Sequence, residues 1–484
     1  MKRKVQYKDL REFLSIVESM GELKTISRVH WDKEMGAITE IVYREKPIDS
    51  PALLFDKIPG YPDSYRCLYG MLASARRFGL AIGAGTGDLS RMDLLTAYRE
   101  RMKDMEPIPP RFVTSGPVME NVLEGNEVDL LKFPVPIHHE LDGGRYIGTA
   151  CGVITRDPDE GWVNVGTYRV QVLDKNRALS YISQGKQGRI QRDRYLSRGE
   201  PCPMVIVVGI DPLLYTAARY QVPLKLSEFD FAGGLAGEPI DVIEGRHTGL
   251  PIPAHAEIVL EGEVLPGETA PEGPFGEWTG YYAGDRKVEP VFKVVRIMHR
   301  NDPILTCAAS QRPPHSHLFE RCFIRSAGLW DKLEKTDCPG IKGVWIHEAG
   351  SGRTFNVIAI KQEYYGHSRQ AALLASQLPP AGYVNRFTVV VDEDIDPSNL
   401  HDVIWAMGTR CNPEEDIDIL RKNWSSRLDP LAFGEKLYNS RAIVDACIPY
   451  EHRQDFPNIA QTTPDYKKVM MEKYGKLIRE IVGK

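Results

Sequence analysis

No stretch of this sequence approaches the ~18 consecutive apolar residues that a membrane-spanning helix needs, so none is expected. Basic residues are never massed. Lys and Arg number 61 against 66 Asp and Glu, the formal net charge is −5, and no basic block or stripe suited to nucleic acid occurs. Cysteine is sparse: the 484 residues hold eight, Cys67, Cys151, Cys202, Cys307, Cys322, Cys338, Cys411 and Cys447, with no CxxC and no zinc-type spacing. That pattern argues against a disulfide framework and for reduced thiols in a cytoplasmic protein. Met1-Lys2-Arg3-Lys4-Val5-Gln6-Tyr7 is basic but no apolar run follows, so no secretory leader is expected. Internal repeats and low-complexity tracts are missing too. What is present is the profile of a large globular protein, 42% apolar and 26% charged. The chain is too long for one core, and two or three domains of roughly 100–200 residues each are expected.

The pattern changes character twice along the chain. Near the start, Leu10, Phe13, Leu14 and Val17 recur at helical spacing, with Gly21 where a helix would stop. Leu23-Lys24-Thr25-Ile26 reads as a strand, a second helix carries Met35, Ile38, Ile41 and Val42, and Ala52-Leu53-Leu54-Phe55 is a buried strand. Gly83-Ala84-Gly85-Thr86-Gly87-Asp88 is GxGxG rather than the GxGxxG of a dinucleotide loop, and reads as the start of a helix capped by Asp88 or Ser90. Pro107-Ile108-Pro109-Pro110 breaks this α/β pattern and marks a domain boundary. From about 113 to 300 the signal is strands. Val163, Val165, Val170 and Val172 precede a turn at Asp174-Lys175-Asn176, and Val205–Gly209, Ala256–Val264 and Val291–Ile297 follow, which together suggest a barrel or sandwich. Beyond 310, helices and strands alternate again. Phe387–Val391 is a buried strand, Asp396-Pro397 is expected to cap a helix, and Thr463-Pro464 starts the last one. Its apolar stripe, Tyr466, Val469, Met470, Tyr474, Leu477, Ile478 and Ile481, must pack on its own chain or on a partner subunit.

Four segments have residues suited to chemistry. In Glu272-Gly273-Pro274-Phe275-Gly276-Glu277-Trp278, two carboxylates flank a tight turn, and neighbouring aromatics suit one of them to proton transfer; a surface turn with two solvated glutamates accounts for the composition at least as well. Asn164-Val165-Gly166-Thr167-Tyr168-Arg169 offers an amide oxygen for a hard metal ion and an arginine fork for a carboxylate, or simply a strand with a surface arginine. A strict strand puts Asn164 and Arg169, five residues apart, on opposite faces unless the chain bends at Gly166. Gly185-Lys186-Gln187-Gly188-Arg189-Ile190 reads as a basic loop that can cradle an anion, though not with P-loop spacing. Ala232-Gly233-Gly234-Leu235-Ala236-Gly237-Glu238-Pro239 reads as a Gly-rich loop ending in a carboxylate. His315 and His317, two residues apart in a Pro-rich stretch, read as polar loop residues rather than a metal site.

The order and wording of these four segments resemble the UbiD-like family of prenylated-FMN-dependent decarboxylases. Ile360-Lys361-Gln362 with Gly366-His367, and Thr409-Arg410-Cys411-Asn412-Pro413-Glu414, extend the resemblance over nearly the whole chain. The resemblance implies an α+β multidomain fold. A central split β-barrel flavin-binding domain (113–310) would be flanked by an N-terminal α/β domain (1–112) and a C-terminal α/β oligomerisation domain (311–484). It implies prenylated FMN, its phosphate held through manganese or magnesium with potassium nearby. Asn164, Gln187 and Glu238 match the metal positions, and Asn164, Thr167, Tyr168, Arg169, Lys186, Gln187, Glu238 and Lys361 the cofactor contacts. Arg169, Glu272 and Glu277 match the catalytic network, with Glu277 as proton donor, and Trp278 a wall of the substrate pocket.

The implied activity is reversible, non-oxidative decarboxylation of an aromatic, heteroaromatic or α,β-unsaturated carboxylic acid. A flavin prenyltransferase would supply the cofactor, and the enzyme would be a homodimer or homohexamer, with no nucleic-acid or membrane partner. One departure stands out: Gln187 occupies a position where family members commonly carry a histidine metal ligand. A glutamine carbonyl binds a hard cation but lacks the imidazole that favours manganese. An FMN-dependent oxidoreductase and a non-catalytic flavin- or metal-binding subunit are the alternative readings.

Overall fold

A computed structural model describes residues 5–482 apart from 88, 104, 221, 224, 283–285 and 433–436. The N-terminal region is the expected alternation: α1 (Leu10–Ser19), β1 (Leu23–Ser27), α2 (Glu34–Glu45), β2 (Ala52–Asp56), β3 (Arg66–Tyr69), α3 (Ala75–Ala81) and α4 (Arg91–Lys103). In α1, Asp9 caps the first turn, Leu10, Phe13, Leu14 and Val17 are buried, and Gly21 takes the left-handed conformation that ends the helix. The buried face of α2 differs from the expected stripe. Ile41 is 61% exposed, while Met35, Gly36, Thr39 and Tyr43 point inward. Burial of the two hydroxyls is tolerated because Thr39 donates to the Met35 carbonyl and Tyr43 to that of Pro51. Ser90 caps α4 by accepting from the Asp93 N–H; Asp88, the other candidate, lies outside the described residues.

The middle region begins with β4 (Arg111–Phe112) and continues through β5 (Asn121–Glu124), β6 (Tyr146–Gly148), β7 (Cys151–Arg156), β8 (Val163–Gly166), β9 (Arg169–Val172) and β10 (Arg177–Tyr181). Then follow α5 (Gln187–Ser197), β11 (Cys202–Val208), α6 (Pro212–Arg219) and α7 (Glu228–Ala236). Next come β12 (Asp241–Glu244) and β13 (Pro251–Pro253), which form a small sheet with β4, then β14 (Ile258–Glu272) and β15 (Lys287–His299). The large sheet runs β6-β9-β10-β15-β14-β11-β7-β8, with β5 also on β15. Here β9 is second and β8 last, yet only Thr167 and Tyr168 separate them in the chain. Laid flat, six strand intervals would put them about 29 Å apart. Three residue steps reach at most about 11 Å. The sheet is therefore rolled, and Gly166 to Arg169 closes its seam. Two segments expected as loops are helical: Gln187 opens α5, and Ala232–Ala236 lie inside α7, with Gly237 as its left-handed C-cap. The glycines of α7 allow close approach, since a Cβ at Gly233 would sit 2.3 Å from the Ile108 carbonyl oxygen and one at Gly234 2.5 Å from that of Glu106.

The next strand, β16 (Ile304–Cys307), leaves the large sheet and pairs with β3, completing the N-terminal sheet in the order β1-β2-β3-β16. The C-terminal region holds α8 (Phe319–Glu334), β17 (Ile341–Ile346), β18 (Phe355–Ile360), α9 (His367–Gln377), β19 (Phe387–Asp392), α10 (Leu400–Arg410), α11 (Pro413–Asp416), β20 (Ile417–Trp424), β21 (Tyr438–Ala446) and α12 (Pro464–Ile481). Its five-stranded sheet runs β17-β18-β19-β21-β20. Asn399, not Asp396, caps α10: its side chain accepts from the His401 N–H, while Asp396 folds a turn back on the Ser398 N–H three residues earlier. Thr463 caps α12 as expected, but within that helix only Gly475 is buried, and Tyr466, Val469, Tyr474, Leu477 and Ile481 leave most of its apolar stripe open. No described helix is long and apolar enough to cross a membrane.

Candidate active site

The seam of the rolled sheet brings one cluster together. Arg169 opens β9, directly across from Tyr181 of β10, and Glu272 is the last residue of β14. Gly273 turns the chain with a left-handed backbone, and Glu277 is fixed in the following turn by its N–H to the Tyr281 carbonyl. Arg169 donates from Nε and Nη2 to the two oxygens of Glu272, at 2.7 and 2.8 Å, and from Nη1 to Oε1 of Glu277. Tyr146 donates to Glu272 Oε1 at 3.1 Å. The guanidinium carbon lies 4.3 Å from the Tyr181 ring centroid and 5.1 Å from that of Phe275. Glu272 is fully buried and Glu277 nearly so. Burial alone would weaken the charge on Arg169, but Glu277 and Glu272 outweigh it and hold the guanidinium firmly protonated. Two carboxylates on one guanidinium leave a unit of negative charge in excess. The same burial and the Glu272 charge push the Tyr146 hydroxyl far up, so it is a fixed donor.

Across the seam, on β8, Asn164 is buried, with its amide beside the Tyr168 hydroxyl. The Tyr168 ring folds over Gly166, where a Cβ would meet it at 2.4 Å, and its hydroxyl accepts from the Gly188 N–H in the first turn of α5. Burial pushes that hydroxyl up to about 12, opposed by Gly188 and the nearby Asn164 amide and reinforced by the Glu228 charge. Glu228, in the first turn of α7, accepts the Val165 N–H on Oε2 at 2.6 Å. Burial lifts its carboxyl to about 8. Gln187 and Lys186 stand at the N-terminus of α5 beside Gly188, and Thr167 lies in the seam itself.

Arg169, Glu272 and Glu277 therefore converge, as do Asn164, Tyr168 and the start of α5. Glu238 does not join them. It follows the C-terminal end of α7, some nine residues of helix and roughly 14 Å from Glu228 at 1.5 Å per residue. It lines a separate surface cleft of about 500 Å³ with Arg111, Asp241 and His255. The carboxylate beside Asn164 is Glu228, which the sequence reading missed; Ser227, the N-cap of α7, was the local signal for a helix start there. Lys361 is also misplaced. It is exposed past the end of β18, whereas the charges that act on Lys186 are Arg353, before the start of that strand, and then Arg325 and Arg321. About 17 Å of strand separates the two ends. Trp278 is buried, with Arg321 and Arg353 near its ring. His315 and His317 do lie in a loop, but a buried one, with ring centroids 4.2 Å apart. Burial first, and then Arg321 for His315 and the His315 ring for His317, push both well below the usual imidazole range. Among the described residues no group of three or more His, Cys, Asp or Glu could hold a metal.

Three family profiles match the chain: the N-terminal domain (14–102), the Rift-related domain (111–313) and the C-terminal domain (320–446) of 3-octaprenyl-4-hydroxybenzoate carboxy-lyase, UbiD. The pyrrole-2-carboxylic acid decarboxylase of Pseudomonas aeruginosa is 34% identical over 429 residues, 84% of this chain and 84% of that protein. Among solved structures, the vanillic acid decarboxylase of Sedimentibacter hydroxybenzoicus in its open form superposes with a TM-score of 0.84 at 29% identity, covering 98% of this chain and 99% of that one. The UbiD-class enzyme HmfF from Pelotomaculum thermopropionicum, in complex with FMN, gives 0.85 at 28% identity over 96% and 99%. An evolved dimeric form of that enzyme, in complex with prFMN, gives 0.81 at 28% over 97% and 100%.

Proposed function

The chain belongs to the UbiD family of carboxy-lyases, and on that footing we propose that it decarboxylates an aromatic or heteroaromatic acid at the Arg169–Glu272–Glu277 cluster, with Glu277 as proton donor. The observation that carries this is one guanidinium bridging two buried carboxylates beside Trp278. Glu272 grips Arg169 in a two-point pair and Tyr146 fixes Glu272, so Arg169 is rigid. Its third contact positions Glu277, whose Oε2 has no protein partner among the described residues. In the reaction the bond between ring carbon and carboxylate breaks, carbon dioxide leaves, and the electron pair stays behind. Glu277 then delivers its proton to that carbon, and Arg169 stabilises the glutamate left ionised. Solvent reprotonates Glu277 for the next turnover.

Prenylated FMN, when bound, supplies the electron sink that makes carbon–carbon cleavage accessible. The residues present fit such a group. Asn164 is a buried amide, Glu228 a buried carboxylate with no ion-pair partner among the described residues, and Gln187 a third oxygen donor, a set that would suit a hard divalent ion such as magnesium or manganese. We assign the metal to Asn164, Gln187 and Glu228. Potassium, and cofactor supply by a flavin prenyltransferase, rest on the resemblance alone. The rolled sheet is then the flavin-binding split barrel, with 1–112 and 311–484 flanking it. The open stripe of α12 supports a homodimer or homohexamer, and eight unpaired cysteines suit a reducing cytoplasm. Mass spectrometry of protein co-produced with a flavin prenyltransferase, followed by carbon dioxide release from a panel that includes pyrrole-2-carboxylate, tests the reading. Bound prenylated FMN with turnover is expected; a flavin-loaded protein inert toward every aromatic acid would overturn it.

A further inference from the structure

Three arginines beyond Trp278 have no ion-pair partner among the described residues. Arg321 and Arg325 lie one turn apart on α8, a like-charge spacing that disfavours the helix. Arg353 comes from the turn between β17 and β18. The Arg321 and Arg353 guanidinium carbons are 5.5 and 5.2 Å from the Trp278 ring centroid, and that of Arg353 is 4.7 Å from Tyr383. Arg321 Nη1, Arg325 Nη1 and Arg353 Nε are buried and unpartnered, and none of the three side chains forms a hydrogen bond or ion pair with a described residue. Two carboxylates whose charge reaches Arg321 are shared with other arginines: Glu320 Oε1 lies 3.7 Å from Arg219, with Oε2 unpartnered, and Glu277 pairs with Arg169. Burial first, and then repulsion from neighbouring arginines (Arg219 for Arg321, and members of the cluster for the others), depress the proton affinity of Arg321, Arg325, Arg353 and the adjacent Lys186. A buried cationic cluster of this kind is costly without an anion beside it.

The cofactor's phosphate is too small a charge to answer for all four cations. A phosphate monoester carries about −1.5 to −2 and would be shared with a divalent metal near Lys186. The reacting carboxylate is the wrong partner, because it leaves as neutral carbon dioxide. Tight arginine binding would stabilise the ground state and be lost in the transition state.

We propose that Arg321, Arg325 and Arg353 form a subsite for a second, non-reacting carboxylate, so that the substrate is an aromatic or heteroaromatic dicarboxylic acid. This rests on the decarboxylase reading for the position of the ring, between Glu277 and the arginines and against Trp278. Planar guanidinium forks match a carboxylate two-point, and three of them on one anion give selectivity over the mono-acid.

The flavin-loaded enzyme provides the test. Binding of pyrrole-2,5-dicarboxylate and pyrrole-2-carboxylate is measured by calorimetry, and kcat/KM wherever carbon dioxide is released. The wild-type protein is expected to bind the dicarboxylate at least tenfold more tightly, and Arg353→Gln and Arg325→Gln to bring that ratio close to one with flavin content kept. A wild-type ratio near one, or a ratio untouched in both variants, overturns the proposal. Variants that fold by circular dichroism but emerge without flavin also overturn it, placing the cluster on the cofactor phosphate. The wild-type ratio decides even where a variant fails to fold. Preferential dicarboxylate binding without carbon dioxide release would sink the decarboxylase reading while leaving the subsite standing.

Discussion

Glu277→Gln separates proton delivery from architecture. The substituted amide would keep the shape of the side chain and still accept from Arg169 Nη1, while Arg169 retains both contacts to Glu272. No buried charge is abandoned, so the unfolding free energy should move by no more than about 1 kcal/mol. The amide has no proton to give. Loss of a general acid costs about 10²- to 10⁴-fold in rate, or roughly 3–5 kcal/mol in the barrier. Labelled carbon dioxide released from a carboxyl-¹³C substrate, followed by mass spectrometry, gives kcat. Exchange of the product's ring hydrogen in D₂O probes the same proton transfer in reverse. Both should fall together by that factor while urea unfolding and flavin content stay at wild-type values. Turnover within tenfold of wild type, or exchange that persists, would refute the proton-donor role.

Glu272→Ala should do the opposite kind of damage: it strands Arg169 Nε and Nη2 in a buried site and leaves the Tyr146 hydroxyl only the Pro274 carbonyl, at a cost of about 3–5 kcal/mol seen in urea unfolding, and a loss under 1 kcal/mol would contradict the two-point pair. The Glu228 carboxyl is lifted from 4.5 to about 8 by burial, so between those values the folded protein holds a proton that the unfolded chain has released. Its stabilising contribution is whole below that window and is lost as pH rises through it. Metal-free Glu228→Gln should match wild type near the bottom of the window and exceed it in urea midpoint above the top; parallel pH profiles would count against the assignment. Gly233→Ala puts a Cβ 2.3 Å from the Ile108 carbonyl oxygen, so α7 must move off residues 106–108, at about 1–3 kcal/mol by urea unfolding; a neutral outcome would contradict that close approach. Removing residues 464–482 buries almost nothing less within the chain, so the subunit should fold but lose self-association by light scattering, and an unchanged particle mass would rule α12 out of the interface.

Local signals were legible where one element decides its own form. The stripe of α1 with Gly21, the Ser90 and Thr463 caps and the strand runs all read correctly, because periodicity and capping are short-range. The site was legible only through resemblance. Arg169 meets Glu272 and Glu277 across 103 and 108 residues, which no spacing rule connects. Glu228 was invisible for the same reason: its meaning lies in the Val165 N–H, 63 residues away. The glycines at 232–237 suggested a loop because glycine weakens helices, yet here it lets a helix lie against backbone. Thr39 and Tyr43 displaced the expected stripe of α2 because their hydroxyls found carbonyl partners that sequence cannot show.

The two-residue seam at Thr167 and Tyr168 also acts as a ruler. The amide on one lip and the guanidinium on the other are separated by peptide bonds rather than by the give of packed side chains. Warming, swelling or a drift of the flanking regions can widen a cleft between domains, but cannot lengthen this link. A single inserted residue there would reset the spacing between the two halves of the site by about 3.3 Å, more than a well-placed proton donor tolerates.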